Sequence, residues 1–193
     1  MSEKSGKIFV VSGPSGVGKT SLVENAISRL SKEIDISRMI TYTTRQSRNG
    51  EENGKDYNFV SGQDFEKKVS DNFFLETNKY SGNLYGSPLI DQAELELGKS
   101  FIYILDIEGA KRAIKHYRGS TSVWIDPKDL KVLHNRLTKR GSETAKQIEQ
   151  RIDQAEQEMK EAHKIRLFDY YLVNDDFEQA VNEFMMVVKK AFE

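Results

Sequence analysis

The sequence predicts an α/β fold in which helices flank a parallel sheet, and two observations support this. A buried strand at residues 7–11 leads through a glycine-rich turn into an amphipathic helix. Three later apolar runs, at residues 101–105, 122–125 and 170–173, are each followed by helical patterning. Strands that alternate with helices form parallel sheets, because each helix returns the chain to the same edge of the sheet.

The turn after the first strand carries the strongest local motif. It fits G-x-x-x-x-G-K-[ST] at every fixed position, with the residues Gly13, Pro14, Ser15, Gly16, Val17, Gly18, Lys19 and Thr20. Glycines let successive backbone N–H groups turn inward around a phosphate, and the following helix adds its positive N-terminal end. The Lys19 ammonium can then reach the β- and γ-phosphates, while the Thr20 hydroxyl can ligate Mg²⁺. Because a strand precedes the motif and a helix continues from Ser21, the segment predicts a P-loop that binds a nucleoside triphosphate.

The next part of the chain predicts an insertion rich in β-structure. Short segments of β type at residues 39–44, 56–60 and 73–79 are separated by Asn-Gly and Ser-Gly-Asn turn signals. One helix is predicted at residues 63–69. We expect residues 37–97 to form this insertion.

A charged helical segment lies between the predicted strands at residues 122–125 and 170–173. Asp126 and Pro127 predict a helix N-cap with proline at the first helical position. Gly141 ends this helix, and Ser142 can cap the next one. We expect residues 127–160 to form a second insertion. The core is then built from residues 1–36, 98–126 and 161–193 of a single domain.

Composition excludes several classes of protein. The chain has 193 residues, which suits one domain, and its net charge of −1 provides no bulk basic field for nucleic acid. It contains no cysteine, which excludes disulfides and thiolate metal sites and fits a reducing compartment. The early apolar run is too short for a signal sequence or a membrane span. We therefore expect a cytoplasmic protein, a monomer or homodimer, with no nucleic-acid or membrane partner.

The P-loop alone does not identify the reaction. A GTPase would need an N-K-x-D segment, and the nearest candidate, which begins at Asn174, does not match it. Outside the P-loop, Arg45 and Arg48 lie three residues apart beside threonine hydroxyls. Such a pair can hold a second phosphate, but arginines at this spacing also decorate ordinary surfaces. Spacing alone leaves both interpretations open.

With its flanking segments, this region closely resembles guanylate kinases. The P-loop reads G-P-S-G-x-G-K-T, and six further segments follow in the family order. These are T-T-R-x-x-R-x-G-E-x-x-G-x-D-Y-x-F-V at 43–60, F-L-E at 74–76, S-G-N-x-Y-G-S at 81–87, L-D at 105–106, R-x-x-x-R-G at 136–141 and V-N-D-D at 173–176. The resemblance spans nearly the whole chain, and the middle segments are more specific than the P-loop.

The resemblance implies an acceptor site for GMP in the first insertion. Arg45, Arg48 and Tyr57 match the family residues that grip the GMP phosphate. Tyr85 matches another tyrosine that contacts the nucleotide.

Three further residues match the groups that read the guanine edge, namely Thr41, Glu76 and Ser87. Guanine N1–H and N2–H₂ form a paired donor face, so the single carboxylate of Glu76 can accept from both. A hydroxyl can donate to O6. Adenine would leave these polar groups unpaired, which is a strong basis for discrimination.

The resemblance also assigns residues to the ATP side. Arg136, Arg140 and Arg151 match arginines of the family's lid, which closes over ATP and stabilises charge on the transferring phosphoryl group. Asp106 ends an apolar strand, where a carboxylate can orient Mg²⁺ through its waters. Asn174 matches a residue near the adenine, and a turn cap at a strand end is an equally good interpretation.

Three departures from the family pattern stand out. Thr41 replaces a common serine and keeps the hydroxyl, whereas Leu84 replaces a usual tyrosine. The segment from Asp106 to Gly109 is two residues shorter than the usual D-I-D-x-Q-G. Asp106 matches the first aspartate of this segment and is expected to contact GMP as well. Glu108 is the candidate for the second, although its carboxylate reaches one methylene further.

The resemblance therefore implies the P-loop NTPase type of α/β fold, with a GMP-binding insertion and a helical lid. It implies direct, in-line transfer of a phosphoryl group from MgATP to GMP, and also to dGMP. Two alternatives are a guanylate-kinase-like module that binds phosphopeptides without catalysis, and a related P-loop kinase for another small phosphate ester. The complete P-loop argues against the first, and Glu76 with the Thr41–Arg48 segment argues against the second.

Overall fold

The computed structural model of the chain describes residues 5–80, 82–140 and 144–193, with Arg140 described by its backbone alone. In these residues the strands β1 to β9 are Ile8–Ser12, Ile36–Arg38, Tyr42–Thr43, Asn58–Phe59, Phe74–Tyr80, Asn83–Pro88, Ser100–Ile104, Thr121–Asp126 and Tyr170–Val173. The helices α1 to α7 are Lys19–Leu30, Gly62–Ser70, Gln92–Glu96, Ile107–His116, Leu130–Arg140, Ala145–Ile165 and Phe177–Lys190.

The core is a five-stranded sheet with the order β2-β7-β1-β8-β9, and every neighbouring pair is parallel. All five residues of the central strand β1 are buried. Phe9 and Val11 pack with α1 and α7 on one face, whereas Ile8 and Val10 pack with α4 on the other. Burial on both faces is what a parallel sheet between helices requires. The predicted α/β fold is confirmed.

The predicted β-rich insertion contains a second sheet with the order β4-β3-β6-β5. Its strands are antiparallel except for the β3–β4 pair. The helix α2 covers one side, where Phe65 stacks on Phe74 with ring centroids 4.7 Å apart. Ser61 caps this helix by accepting from the Asp64 N–H.

Two elements at the edges of this insertion were not predicted. The strand β2 belongs to the core sheet, because its residues pair with β7 up to Arg38 opposite Ile102. It therefore crosses the expected boundary between residues 36 and 37. The short helix α3 follows β6, with Asp91 as its N-cap.

The helices α5 and α6 pack on each other around a small separate core of Leu133, Leu137, Ile148 and Ala155. The predicted caps of both helices are wrong. Asp129, not Asp126, accepts from the first turn of α5, through the Val132 N–H at 2.7 Å. Thr144 begins α6 with a capping box to Gln147, a stronger arrangement than a single cap. Ser142 and Gly141 lie outside the described residues.

None of the helices in the described ranges combines the length and the apolarity needed to span a membrane.

Candidate active site

The predicted site residues of the core collect at the carboxyl edge of the parallel sheet. The P-loop follows β1, Asp106 comes two residues after β7, and Asn174 follows β9. Ligands of open α/β sheets bind at this edge, where adjacent loops diverge.

Two glycines of the P-loop are required by its geometry. Gly18 has a φ of 99°, and a Cβ there would lie 2.8 Å from Nδ2 of Asn174. A Cβ on Gly13 would lie 2.3 Å from the backbone oxygen of Ile125. A side chain at Gly13 would therefore displace the loop from β8, whereas one at Gly18 would strain the backbone and displace the Asn174 amide.

The Lys19 ammonium folds back onto the loop that precedes it. Its Nζ donates to the carbonyl oxygen of Gly13 at 2.6 Å and to that of Pro14 at 3.1 Å. Burial lowers the pKa of Lys19 to about 8, and the carboxylates of Glu158 and Asp106 partly oppose this shift. Glu158 lies on α6, and burial raises its own pKa. The loop thus holds a desolvated ammonium within reach of carboxylates from two other elements.

Residues from outside the loop fix the Val17 carbonyl. Nδ2 of Asn174 donates to this oxygen at 2.7 Å, and Nη1 of Arg136 donates to it at 3.0 Å. Nη2 of Arg136 also donates to the backbone oxygen of Asn174 at 3.0 Å. The Oδ1 atom of Asn174 is buried and has no hydrogen-bond partner among the described residues.

A second predicted lid arginine also contacts the P-loop. Nη1 of Arg151 donates to Oγ of Ser15 at 3.1 Å. Leu133 and Leu137 of α5 lie against Gly16, where a Cβ would come within 3.1 Å of both side chains. The side chain of Arg140 lies outside the described part of the structure, although its backbone ends α5.

The predicted guanine-reading groups meet in the second sheet. Glu76 on β5 pairs with Ser87 on β6, whose buried Oγ donates to Oε1 of Glu76 at 2.8 Å. Burial raises the pKa of Glu76; the hydrogen bond from Ser87 opposes this shift, and the charge of Asp106 adds to it. Thr41 lies half-buried just before β3, which pairs with β6.

The side chain of Arg45 is fixed by an ion pair and by an aromatic ring. Nη1 and Nη2 of Arg45 form a bidentate ion pair with Glu51, at 3.0 and 2.8 Å. Its guanidinium lies 5.4 Å from the ring centroid of Tyr57, and Tyr57 makes an edge contact with Tyr85. Arg48 is exposed, and its backbone N–H donates to the same Glu51 carboxylate at 2.7 Å. One carboxylate therefore holds the side chain of Arg45 and the backbone of Arg48.

Asp106 joins the two halves of the site. It caps α4 by accepting from the Gly109 N–H at 2.7 Å, and its other oxygen accepts from Nδ2 of Asn78 at 3.0 Å. Asn78 follows Glu76 on the same face of β5, so this bond connects the second sheet to the P-loop edge. Glu108, by contrast, is exposed in the first turn of α4 and pairs with Lys111 at 2.7 Å.

Sequence reasoning missed the supporting residues Glu51, Asn78 and Glu158. Asn78 lies two residues after Glu76, so the two side chains share one face of the strand. This spacing could have indicated that Asn78 belongs to the site. Glu51 lay inside a recognised motif but received no role. Glu158 lies seven residues after Arg151, which places it two turns along the same face of α6.

The arrangement provides two places for anions and one for a hydrogen-bond donor face. Lys19 and Arg151 contact the P-loop, Arg45 and Arg48 flank the second sheet, and Glu76 offers an acceptor on that sheet. No cluster of three or more His, Asp or Glu side chains suited to a metal ion occurs in the described ranges. The oxygen donors at the P-loop are Thr20, exposed in the first turn of α1, and Asp106.

Comparison with known proteins identifies one family. The family model for guanylate kinase matches residues 5–191. The guanylate kinase of Thiobacillus denitrificans is 38% identical over 186 residues, which cover 95% of this chain and 86% of that protein. That of Lactobacillus delbrueckii subsp. bulgaricus is 40% identical over 184 residues, which cover 95% and 88%.

Among solved structures, the crystal structure of guanylate kinase from Anaplasma phagocytophilum superposes with a TM-score of 0.75 at 26% sequence identity. The match covers all of this chain and 90% of that one. The chain belongs to the guanylate kinase family.

Proposed function

We propose that this protein transfers the γ-phosphoryl group of ATP to the phosphate of GMP, and also to that of dGMP. The observation that carries the proposal is the bond between Asn78 and Asp106. It joins a complete P-loop edge to a sheet that presents Glu76, Ser87 and Arg45.

In this reaction an oxygen of the GMP phosphate attacks the γ-phosphorus in line, and the bond to the bridging β–γ oxygen breaks. The products are GDP and ADP. The attacking oxygen is already an anion, so no side chain is assigned as general base. Catalysis then rests on positioning two polyanions and neutralising their charge.

We assign the donor side to Lys19, Arg136 and Arg151, together with Arg140. We assign the binding of the acceptor phosphate to Arg45 and Arg48 with Tyr57 and Tyr85. We assign the recognition of guanine to Glu76, Ser87 and Thr41. We assign Asn174, whose side chain also holds the Val17 carbonyl, to the adenine side. Glu108 is the weakest assignment, because its carboxylate is engaged by Lys111.

The donors present fit a magnesium ion that is held mostly by nucleotide oxygens and water. Such ions keep several waters and need only one or two protein ligands. Thr20 would supply its hydroxyl, and Asp106 would act through water. When bound, the ion would neutralise charge on the β- and γ-phosphates.

We also propose that residues 37–97 and 127–160 act as the GMP-binding insertion and the lid. Closure of both over the substrates would exclude water, which otherwise competes with GMP as the phosphoryl acceptor. The contacts of Arg151 and Leu137 with the P-loop support this role for the second segment.

The deciding experiment measures ADP release from MgATP with GMP, dGMP, AMP, CMP, dTMP or no acceptor. We expect strong turnover with GMP and dGMP and little ADP from AMP or without acceptor. Glu76→Gln should abolish most of the preference for GMP over AMP. If no acceptor stimulates turnover although ATP binds, the kinase assignment fails, and a phosphopeptide becomes the ligand to test.

A further inference from the structure

A buried carboxylate ties the root of the lid helix α6 to the core sheet. Oδ2 of Asp126 lies 2.8 Å from Nε2 of His163, and Oδ1 of Asp126 accepts from the indole N–H of Trp124 at 2.7 Å. The three residues come from β8 and from the last turn of α6. We call Asp126 and His163 the lid anchor.

The lid anchor combines a buried carboxylate with a half-exposed imidazole. Only 10% of the Asp126 side chain is exposed, whereas 52% of the His163 side chain is. Loss of His163 would remove the protein partner of Oδ2 of Asp126, while Trp124 would still hold Oδ1. The His163 ring stacks on Tyr171 with centroids 4.9 Å apart. The Tyr171 hydroxyl donates to the backbone oxygen of Ala162, which fixes this ring beside α6.

The position of the lid anchor connects the lid to the P-loop. Asp126 directly precedes the segment 127–160, and His163 lies just beyond its end. The backbone oxygen of Asp126 accepts from the Asn174 N–H at 2.8 Å. The Asn174 side chain in turn holds the Val17 carbonyl of the P-loop at 2.7 Å. Asn174 therefore connects the C-terminal end of α6, through Asp126, to the P-loop.

Orientation of α6 decides where Arg151 lies. Arg151 is twelve residues before His163 on one uninterrupted helix, a distance of about 18 Å along its axis. A tilt of about 10° at the root would therefore displace Arg151 by roughly 3 Å. Such a displacement would break the contact with Ser15 and remove the arginine from a phosphate bound at the loop.

We propose that Asp126 and His163 are positioning residues for phosphoryl transfer, which act by setting the orientation of α6 and hence the place of Arg151. This inference rests on the proposed function to the extent that Arg151 serves a bound phosphate. It assigns a role to two residues that do not themselves contact the substrates.

The test is a double-mutant cycle between His163→Phe and Arg151→Ala. Phenylalanine keeps the stack on Tyr171 but removes the hydrogen bond to Asp126. We expect kcat/KM for ATP to fall about tenfold in His163→Phe, but by less than about twofold when the same change is made in Arg151→Ala. His163→Gln, which keeps a donor for Asp126, should recover most of the activity.

A matched control is Lys160→Gln, which breaks the pair of Lys160 with Glu156 on the exposed side of the same helix. It should leave kcat/KM unchanged. A tenfold loss that persists in the Arg151→Ala background would overturn the proposal, because His163 would then act without Arg151. If His163→Phe does not fold, Asp126→Asn, which keeps an acceptor for Trp124, takes its place in the cycle.

A second readout separates this inference from the proposed function. Trp124, the sole tryptophan of the chain, donates to Asp126 and so reports on the lid anchor by fluorescence. The ATP affinities of the unmodified protein, the two single variants and the double variant can also be measured by calorimetry without GMP. This second double-mutant cycle does not depend on whether GMP is the acceptor. Absence of GMP-dependent ADP release in the unmodified protein would refute the proposed function, and additive effects on ATP affinity would refute the lid anchor.

Discussion

Nζ of Lys19 lies 2.6 Å from the carbonyl oxygen of Gly13, so the P-loop lysine is bound to its own loop. This contact keeps the ammonium next to the site of the triphosphate, but at the cost of partial desolvation. Burial accordingly lowers the pKa of Lys19 to about 8, well below its ordinary value of 10.5. Most of its charge is therefore present at pH 7 and lost by pH 9 to 10.

ATP affinity should consequently fall as the pH rises through about 8. A bound polyphosphate favours the protonated lysine, so binding above this pH must take up a proton. Between pH 7.5 and 9.0 we expect affinity to weaken about eightfold, with proton uptake approaching one at pH 9. Calorimetry in buffers of different ionisation enthalpy measures both quantities.

Lys19→Arg is the matched control, because arginine stays charged throughout this range. Its ATP affinity should be weaker but independent of pH between 7.5 and 9.0. An unmodified protein with the same flat profile, and no proton uptake at pH 9, would contradict the shifted pKa.

The two arginines proposed to hold the acceptor phosphate, Arg45 and Arg48, should respond differently to alanine. Arg48 is exposed, so Arg48→Ala should raise the KM for GMP about tenfold or more and lower kcat, without changing the thermal midpoint. Arg45→Ala should impair GMP use as well, and should also lower the midpoint by about 2–4 °C. The reason is that it leaves the Glu51 carboxylate without its bidentate partner and exposes the ring of Tyr57.

Initial rates over a range of GMP concentrations and thermal melts provide both measurements. Arg118→Ala is the control, since Arg118 is exposed after the end of α4 and has no place in the proposed site. Equal thermal midpoints for the Arg45 and Arg48 variants would contradict the structural role of the Arg45–Glu51 pair.

The Glu76–Ser87 pair predicts a pH below which kcat/KM for GMP falls, which we call the acid limit. In its proposed role Glu76 must be ionised to accept two donors from guanine, and burial raises its pKa above the ordinary 4.5. kcat/KM for GMP should therefore fall as the pH drops through that raised pKa. Ser87→Ala removes the hydrogen bond that favours the carboxylate, so the limit should move to higher pH, and the KM for GMP should rise severalfold.

Saturation curves for GMP from pH 4.5 to 7.5, with the KM for ATP as an internal reference, give this limit. The prediction fails if Ser87→Ala shifts the acid limit downwards, or if the two substrates lose affinity in parallel.

Local features of this chain were predictable from the sequence because they depend on neighbours along the chain. The P-loop is one such feature, since its glycines and Lys19 are contiguous. The parallel core was another, because β1, β7 and β8 are buried runs with little polar interruption. In both cases, backbone geometry and hydrophobicity leave few alternatives.

Contacts between distant segments were not predictable in the same way. Asp126 followed by Pro127 has the local pattern of a helix cap, yet Trp124 and His163 bind its carboxylate, and Asp129 caps α5 instead. The partnership of Asn78 with Asp106 depends on how the second sheet docks on the core. No periodicity in a mostly polar strand specifies that placement.

Leu84 leaves a groove on the outer side of the second sheet that a larger side chain would fill. The groove has a volume of about 450 Å³ between α2 and the β5–β6 hairpin, and its lining includes Phe65, Val69, Thr77 and Leu84. Leu84→Tyr should therefore stabilise the fold by about 1 kcal/mol, which corresponds to a rise of about 2–4 °C in the thermal midpoint.

The backbone of Leu84 already donates to Thr44 and accepts from Thr43, and these bonds do not depend on the side chain. Tyr85, the next residue, lies on the opposite face beside Tyr57, so the KM for GMP should stay unchanged. Leu84→Ala is the paired variant and should lower the midpoint by a similar amount or more, because it enlarges the groove. A Leu84→Tyr protein that melts below the unmodified one would mean that the groove is already at its favoured size and that α2 cannot accommodate the added ring.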